Sequence, residues 1–194
     1  SRVSEHRSAD PFSLLIGFDG SLKTQVEQAK AAILYPPSSL HTLITGPTGV
    51  GKSLFASVMF NYACFVGRFD AKKPFIVFNC ADYAMNPQLM AHIFGHIKGA
   101  FTGAGEDKEG LVDKANGGML FLDEIHRLPP EGQEMVFYFM DTGTYSRLGE
   151  TERRRTASVL LVGATTENLE SAMLKTFIRR IPIIIHLPTF ERRS

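Results

Sequence analysis

Eight residues, Gly46-Pro47-Thr48-Gly49-Val50-Gly51-Lys52-Ser53, have the types and the order that phosphate binding needs. They fit the pattern G-x-x-x-x-G-K-[ST]. The glycines let successive main-chain N–H groups come close to an anion and face it. Lys52 offers a positive charge to β- and γ-phosphates, and Ser53 offers a hydroxyl ligand to Mg²⁺. A second group lies downstream. Met119-Leu120-Phe121-Leu122-Asp123-Glu124 is an apolar run that ends in two acids. Central parallel strands read as continuous apolar runs, and ligands bind beyond their carboxyl ends. Asp123 is therefore expected beside the phosphate loop, holding Mg²⁺ directly or through water, and Glu124 is expected to orient and activate an attacking water. This pairing favours hydrolysis of a nucleoside triphosphate over transfer of its phosphate.

The flanking segments have the periodicities needed to position these groups. Residues 40–45 read as a buried strand entering the phosphate loop, and residues 53–66 as a helix leaving it, with its positive N-terminus at the phosphates. Residues 23–34 have an amphipathic helical pattern that Pro36-Pro37 ends. Residues 75–79 form a second strand and 87–94 a helix, followed by a glycine-rich stretch over 95–110. The acid-tipped strand over 119–123 leads to a helix over 130–140, then a polar hairpin or loop over 145–156. Fourth and fifth strands are expected over 159–164 and 181–187. This alternation predicts an α/β fold, a doubly wound and mainly parallel five-stranded sheet flanked by helices.

Composition sets the outer bounds. The 194 residues, 44% hydrophobic, suffice for one domain with a real core. Twenty-one basic and 20 acidic residues give a net charge of +1, which offers no electrostatic footprint for non-specific nucleic-acid binding. Cys64 and Cys80 form no disulfide framework, so a reducing cytoplasm is the default expectation. No run approaches the length of a membrane span. His92 and His96 stand four apart, but Gly95 breaks the helix between them and no third ligand is near, so metal binding is not expected there. His126, beside Asp123 and Glu124, could tune the site, but it reads first as a loop histidine near solvent. Arg153-Arg154-Arg155 reads as a solvated face or a subunit contact, diluted by Glu150 and Glu152.

Gly99-Ala100-Phe101-Thr102-Gly103-Ala104 is physically unusual. A large aromatic sits in a glycine-bounded segment without apolar neighbours. Such a ring is either folded back into the core or held out as a contact for a partner, and the sequence leaves both open. The stretch from Phe94 to Ala104 closely resembles the surface loop of bacterial enhancer-binding proteins. These are P-loop ATPases of the AAA+ type that activate transcription by sigma-54 RNA polymerase. The resemblance covers nearly the whole chain, and its closer form is to the LevR type of regulator, which joins such an ATPase to phosphotransferase-regulated domains. Asn86-Pro87-Gln88-Leu89, Glu131-Gly132-Gln133-Glu134-Met135, Arg179-Arg180-Ile181-Pro182 and His126 carry that flavour.

The resemblance implies roles residue by residue. Ile16 and Gly17 would pack against adenine, and Gly46, Pro47, Thr48, Gly49, Val50, Gly51, Lys52, Ser53 and Leu54 would hold ATP. Ser53 and Asp123 would hold Mg²⁺. Asn79 would pair with Glu124 and restrain it. Thr166 stands where the family usually has a sensor asparagine, with a shorter reach and one donor. Arg179 or Arg180 would act on the ATP of an adjacent subunit; the alignment favours Arg179, and a solvated basic turn is the alternative. Gly99, Ala100, Phe101, Thr102, Gly103 and Ala104 would touch sigma-54 holoenzyme. A hexamer is implied for the full-length protein, with any DNA contact made by domains outside these residues. The resemblance also implies a helical lid after the fifth strand. The chain is accordingly read as linker over 1–12 and an α/β ATPase subdomain over 13–194 that stops before the lid, and such a fragment is expected to bind and hydrolyse ATP weakly. The competing reading is a nucleotide-gated protein-binding module with little turnover. Another AAA+ remodelling ATPase is a third, but it leaves the Phe101 segment unexplained.

Overall fold

Each apolar run becomes a strand whose alternate residues face opposite layers. In this computed structural model, which describes residues 9–83, 87–166, 168–169, 173 and 175–194, the main sheet has five strands. They are β1 (Thr42–Thr45), β2 (Phe75–Asn79), β5 (Met119–Asp123), β8 (Leu160–Thr165) and β9 (Ile183–His186), in the order β2-β5-β8-β1-β9. All four pairings are parallel. Residues 1–8 of the expected linker and Asn86 lie outside the described residues. Within the rest of that stretch the chain is packed. Asp10 accepts the Phe12 N–H at 2.9 Å and starts a short turn over Pro11–Leu14, and Phe12 is fully buried.

The alternation of side chains builds two cores. Ile44, Phe121, Val162 and Ile185 point to one face, where they meet α1 (Lys23–Leu34) and α2 (Lys52–Phe65). Leu43, Leu120, Leu122 and Leu161 point to the other. There they meet α3 (Gln88–Phe94), α4 (Leu111–Lys114), α5 (Pro130–Thr142) and α6 (Lys175–Arg180). Helices on both faces explain why the interior positions of the central strands are apolar on both sides. Helix α2 buries Phe55, Ala56, Val58, Met59, Tyr62 and Ala63, the spacing of one helical face. Among the described residues, no helix is long and apolar enough to cross a membrane.

Two small hairpins stand apart from the sheet. β3 (Gly95–His96) pairs with β4 (Lys108–Glu109), and β6 (Thr144–Tyr145) pairs with β7 (Arg155–Thr156). The second confirms a hairpin in the 145–156 region. The two touch, since Ile97 donates to the Leu148 carbonyl at 3.0 Å and Leu148 donates to that of Gly95 at 2.9 Å. Two arginines of the second hairpin have partners within the chain. Arg155 grips Glu150 through Nε and Nη2 at 2.9 and 2.8 Å, and Arg154 lies over the Tyr138 ring.

Candidate nucleotide site

The phosphate loop follows β1 at the carboxyl edge of the sheet. Its tip, Pro47 to Gly49, is exposed, while Val50 is buried and anchors the loop. Gly51 caps α2 with φ 88°, a conformation that a residue with Cβ rarely adopts, so glycine is needed to aim the first N–H groups of the helix outward. Ser53 and Leu54 lie exposed in the first turn. Lys52 is only 7% exposed, and its ammonium donates to the Gly46 and Pro47 carbonyls at 2.8 and 2.9 Å. Burial lowers the Lys52 pKa below the ordinary lysine value, and the charges of Asp123 and Glu124 oppose that fall. The three groups therefore share one electrostatic neighbourhood.

The strand order refines the expected geometry. β8 lies between β1 and β5, so the acids are not on the strand next to the phosphate loop. Thr45 is in register with Thr165, Leu122 with Gly163, and Asn79 with Asp123. The end of β8 thus separates lysine from acids, and Thr166, half-buried, follows immediately. Asp123 Oδ1 accepts the Glu124 N–H at 2.9 Å. Glu124 has φ 52°, the one non-glycine residue with positive φ among those described. Such backbone costs of order 1 kcal/mol or more and concentrates at functional sites.

The side chain of Glu124 meets His126 rather than Asn79. Glu124 Oε2 is 3.1 Å from His126 Nε2, and the Asn79 Oδ1 accepts the Ala81 N–H at 2.9 Å. His126 Nδ1 is 2.8 Å from the Thr165 Oγ1. The His126 side chain is 10% exposed, so it is not the near-solvent loop histidine that the sequence implied. Cys80 lies under the acids, fully buried, and burial together with Asp123 and Glu124 pushes its thiol pKa up to about 12.

The remaining expected residues fall in three places. Ile16 is 69% exposed beside the buried Leu15, and Gly17 lies near the Arg193–Ser194 backbone, close to the phosphate loop that Arg193 reaches by donating to the Val50 carbonyl. Arg179 and Arg180 end α6, exposed, with the Arg180 guanidinium 4.3 Å from the centre of the Phe137 ring. They precede β9, whose first residue is in register with Thr42, at the opposite edge of the sheet from the loop. At ~3.3 Å per residue, β1 alone separates the two edges by roughly 10 Å. Phe101 is half-buried, with its ring 4.9 Å from that of His96 and edge-on to it. Its loop is closed by Gly99 N–H to Ala104 O at 2.8 Å and Ala104 N–H to Phe101 O at 3.1 Å.

A parallel five-stranded sheet wound on both faces, with a glycine-lysine-serine loop and an acid pair at its carboxyl edge, defines a P-loop domain of the AAA+ type. The chain belongs to the sigma-54 interaction domain family, which matches residues 15–185. It is 61% identical over 191 residues to the transcriptional regulatory protein LevR of Bacillus subtilis (strain 168), covering 98% of this chain and 20% of that protein. It is 53% identical over 186 residues to the transcriptional regulatory protein DagR of Salmonella typhimurium (strain 14028s / SGSC 2262), covering 95% of this chain and 20% of that one. The chain thus spans a fifth of the length of these relatives. The crystal structure of NtrX from Brucella abortus superposes with a TM-score of 0.67 at 27% identity, over 86% of this chain and 36% of that chain.

Sequence reasoning missed the partnership of His126 and Thr165. The two-residue offset from Glu124 to His126 is visible in the sequence. The separation of 39 positions between His126 and Thr165 hides the other contact, which exists only because β8 is inserted beside β5.

Proposed function

We propose that this domain hydrolyses ATP and that the hydrolysis cycle drives its Gly99–Ala104 loop against sigma-54 RNA polymerase holoenzyme. The observation that carries this reading is the placement at one edge of the sheet of the phosphate loop, which follows β1 and holds Lys52 on two of its carbonyls, and of Asp123 and Glu124 at the end of β5. Lys52, held on two carbonyls of its own loop, would exchange them for phosphate oxygens. The residues fit Mg²⁺. Ser53 is an exposed hydroxyl at the start of α2 and Asp123 is a half-buried carboxylate, which together make a hard oxygen donor set. When bound there, Mg²⁺ would neutralise charge on the phosphates. Glu124 orients a water and takes up its proton as it attacks the γ-phosphate. Thr166, one residue beyond Thr165, is within the same edge and would sense the phosphate through its hydroxyl.

The position of Arg179 and Arg180, at the far edge of the sheet, favours action on the ATP of a second copy. The working form would then be a homo-oligomer, a hexamer in the family's usual arrangement. A second reading, a nucleotide switch with little turnover, is favoured by one feature, the short side chain of Thr166 at the sensor position.

One variant separates these readings. Glu124→Gln in the full-length protein keeps the shape of the side chain and loses the carboxylate. It should bind ATP with parental affinity and lose at least about a hundredfold in turnover. Hydrolysis at the parental rate would remove Glu124 from the mechanism. A parent protein that binds ATP without turnover, alone and with its partners, would favour the switch.

A further inference from the structure

The tip of β5 and the end of β8 are joined by hydrogen bonds that run through one imidazole. His126 Nε2 stands 3.1 Å from Glu124 Oε2, and His126 Nδ1 stands 2.8 Å from Thr165 Oγ1. A carboxylate can only accept, so Nε2 carries the proton that faces Glu124. In the neutral ring Nδ1 then accepts from the Thr165 hydroxyl. The two contacts fix one ring orientation, and in the neutral ring they select the tautomer with its proton on Nε2.

Both ends of this chain are fixed by the fold. Thr165 is fully buried and in register with Thr45, the residue before the phosphate loop. Glu124 begins the single turn Ile125–Arg127 with its φ of 52°. That turn is pressed onto β8. A Cβ at Gly163 would lie 2.8 Å from Ile125 Cδ1, so a larger residue there would push the Ile125 side chain aside. Of the two side chains in the ion pair, that of Glu124 is the more exposed, at 25% against 10% for His126. Asn79, which the sequence offered as its restraint, is turned to the Ala81 N–H instead.

We infer that His126 is a positioning residue that holds the Glu124 carboxylate to the end of β8, an assignment that rests on Glu124 activating water. His126 touches neither nucleotide nor water in this role. It removes the freedom of a three-torsion side chain and ties its direction to the strand lying between phosphate loop and acids. A shift at the end of β8 is then felt at Glu124 through two hydrogen bonds.

The test compares three substitutions in the full-length protein, with turnover and the affinity for a non-hydrolysable ATP analogue measured separately. His126→Ala should lower kcat by about ten- to a hundredfold, the scale set by misplacing a catalytic group by roughly 1 Å. Analogue affinity should stay at the parental value, while the melting temperature should fall by a few degrees because a nearly buried ring and its two hydrogen bonds are lost. His126→Gln places an amide N–H near the position of Nε2 and should restore most of the turnover. His126→Asn places its amide near Nδ1, reaches Thr165 alone, and should remain as slow as alanine. Equal rates for the glutamine and asparagine variants would overturn the assignment, as would parental or higher turnover in His126→Ala. Should the alanine variant fail to fold, the glutamine–asparagine comparison decides by itself. Glu124→Gln is run alongside. If it hydrolyses at the parental rate, the role of Glu124 falls and the assignment with it. If it is inactive while the His126 variants are unaffected, only the assignment falls.

Discussion

Replacing Phe101 with alanine separates anchor from core in one pair of measurements. The ring is half-buried and its principal partner is His96, edge-on at 4.9 Å. An aromatic pair of this kind contributes about 0.5–1.5 kcal/mol. A fully buried phenylalanine such as Phe121 or Phe139 would cost about 3–5 kcal/mol on truncation. The loop frame does not depend on the ring, since it is closed by main-chain bonds between Gly99, Phe101 and Ala104. Phe101→Ala should therefore destabilise the domain by about 1 kcal/mol, which lowers the melting temperature by roughly 2–4 °C at this size. Calorimetry of the domain reads that shift. The functional half of the prediction is binding to sigma-54 holoenzyme with a transition-state analogue of ATP present. Loss of an aromatic anchor costs about 2 kcal/mol or more, roughly thirtyfold in affinity. A loss of stability near that of Phe121→Ala would make Phe101 a core residue. Parental stability with parental sigma-54 binding would remove the loop from the proposed function.

Two further outcomes follow from the geometry. Subunits carrying Arg179→Ala or Arg180→Ala, mixed with Lys52→Ala subunits, should recover part of the hydrolysis that each lacks alone, because an intact arginine can then face an intact phosphate loop on the neighbour; verified mixed assemblies with no recovery would count against action in trans. Cys80 should resist thiol reagents at pH 8 in the folded protein while Cys64 reacts, since the Cys80 pKa is raised to about 12 and the thiolate is scarce well below that pH. The same shift makes the Cys80 contribution to stability fully present below the unfolded thiol value of about 8.5 and progressively lost as pH rises towards about 12. A titration that counts two reactive thiols at equal rates before unfolding would contradict the buried site.

The sheet was legible because its central strands are continuous apolar runs bounded by turn residues. Each expected strand lies within a residue or two of its place, including β8 at Leu160–Thr165. The phosphate loop was legible because its residue types are dictated by phosphate geometry. What the sequence withheld was lateral order. Nothing in Met119–Asp123 or Leu160–Thr165 announces that β8 separates β5 from β1, and the Thr165–His126–Glu124 connection depends on that order. Helix α6 was missed because its six residues are too few to carry a period, and the fate of Phe101 was open because its contact, His96, comes from the hairpin that the loop itself closes. Asp10 and Phe12 looked like linker because Phe12 packs on Phe55 and Tyr62, more than 40 residues away, and Asp10 pairs with Lys30.

The placement of the Phe101 loop bears on how a change at the nucleotide edge could reach it. The loop is not appended to the sheet by a free linker. It follows α3, whose Leu89, Met90, Ile93 and Phe94 are buried in the same core as Leu120, Leu122, Ile125 and Leu128. Ile125 and Leu128 flank His126, in the turn that begins at Glu124. A close-packed core transmits displacement because it has no room to absorb it. The same turn therefore meets both the Thr165 side of the site, through His126, and the α3 side, through its apolar residues. The second hairpin buttresses the loop from outside, because a Cβ at Gly149 would lie 2.9 Å from both Ala100 Cβ and Ile97 Cγ1. In the proposed cycle the moving unit would therefore be larger than the six loop residues: it would comprise α3, the β3–β4 hairpin and the β6–β7 hairpin packed on it, with the turn after Glu124 as its link to the nucleotide site.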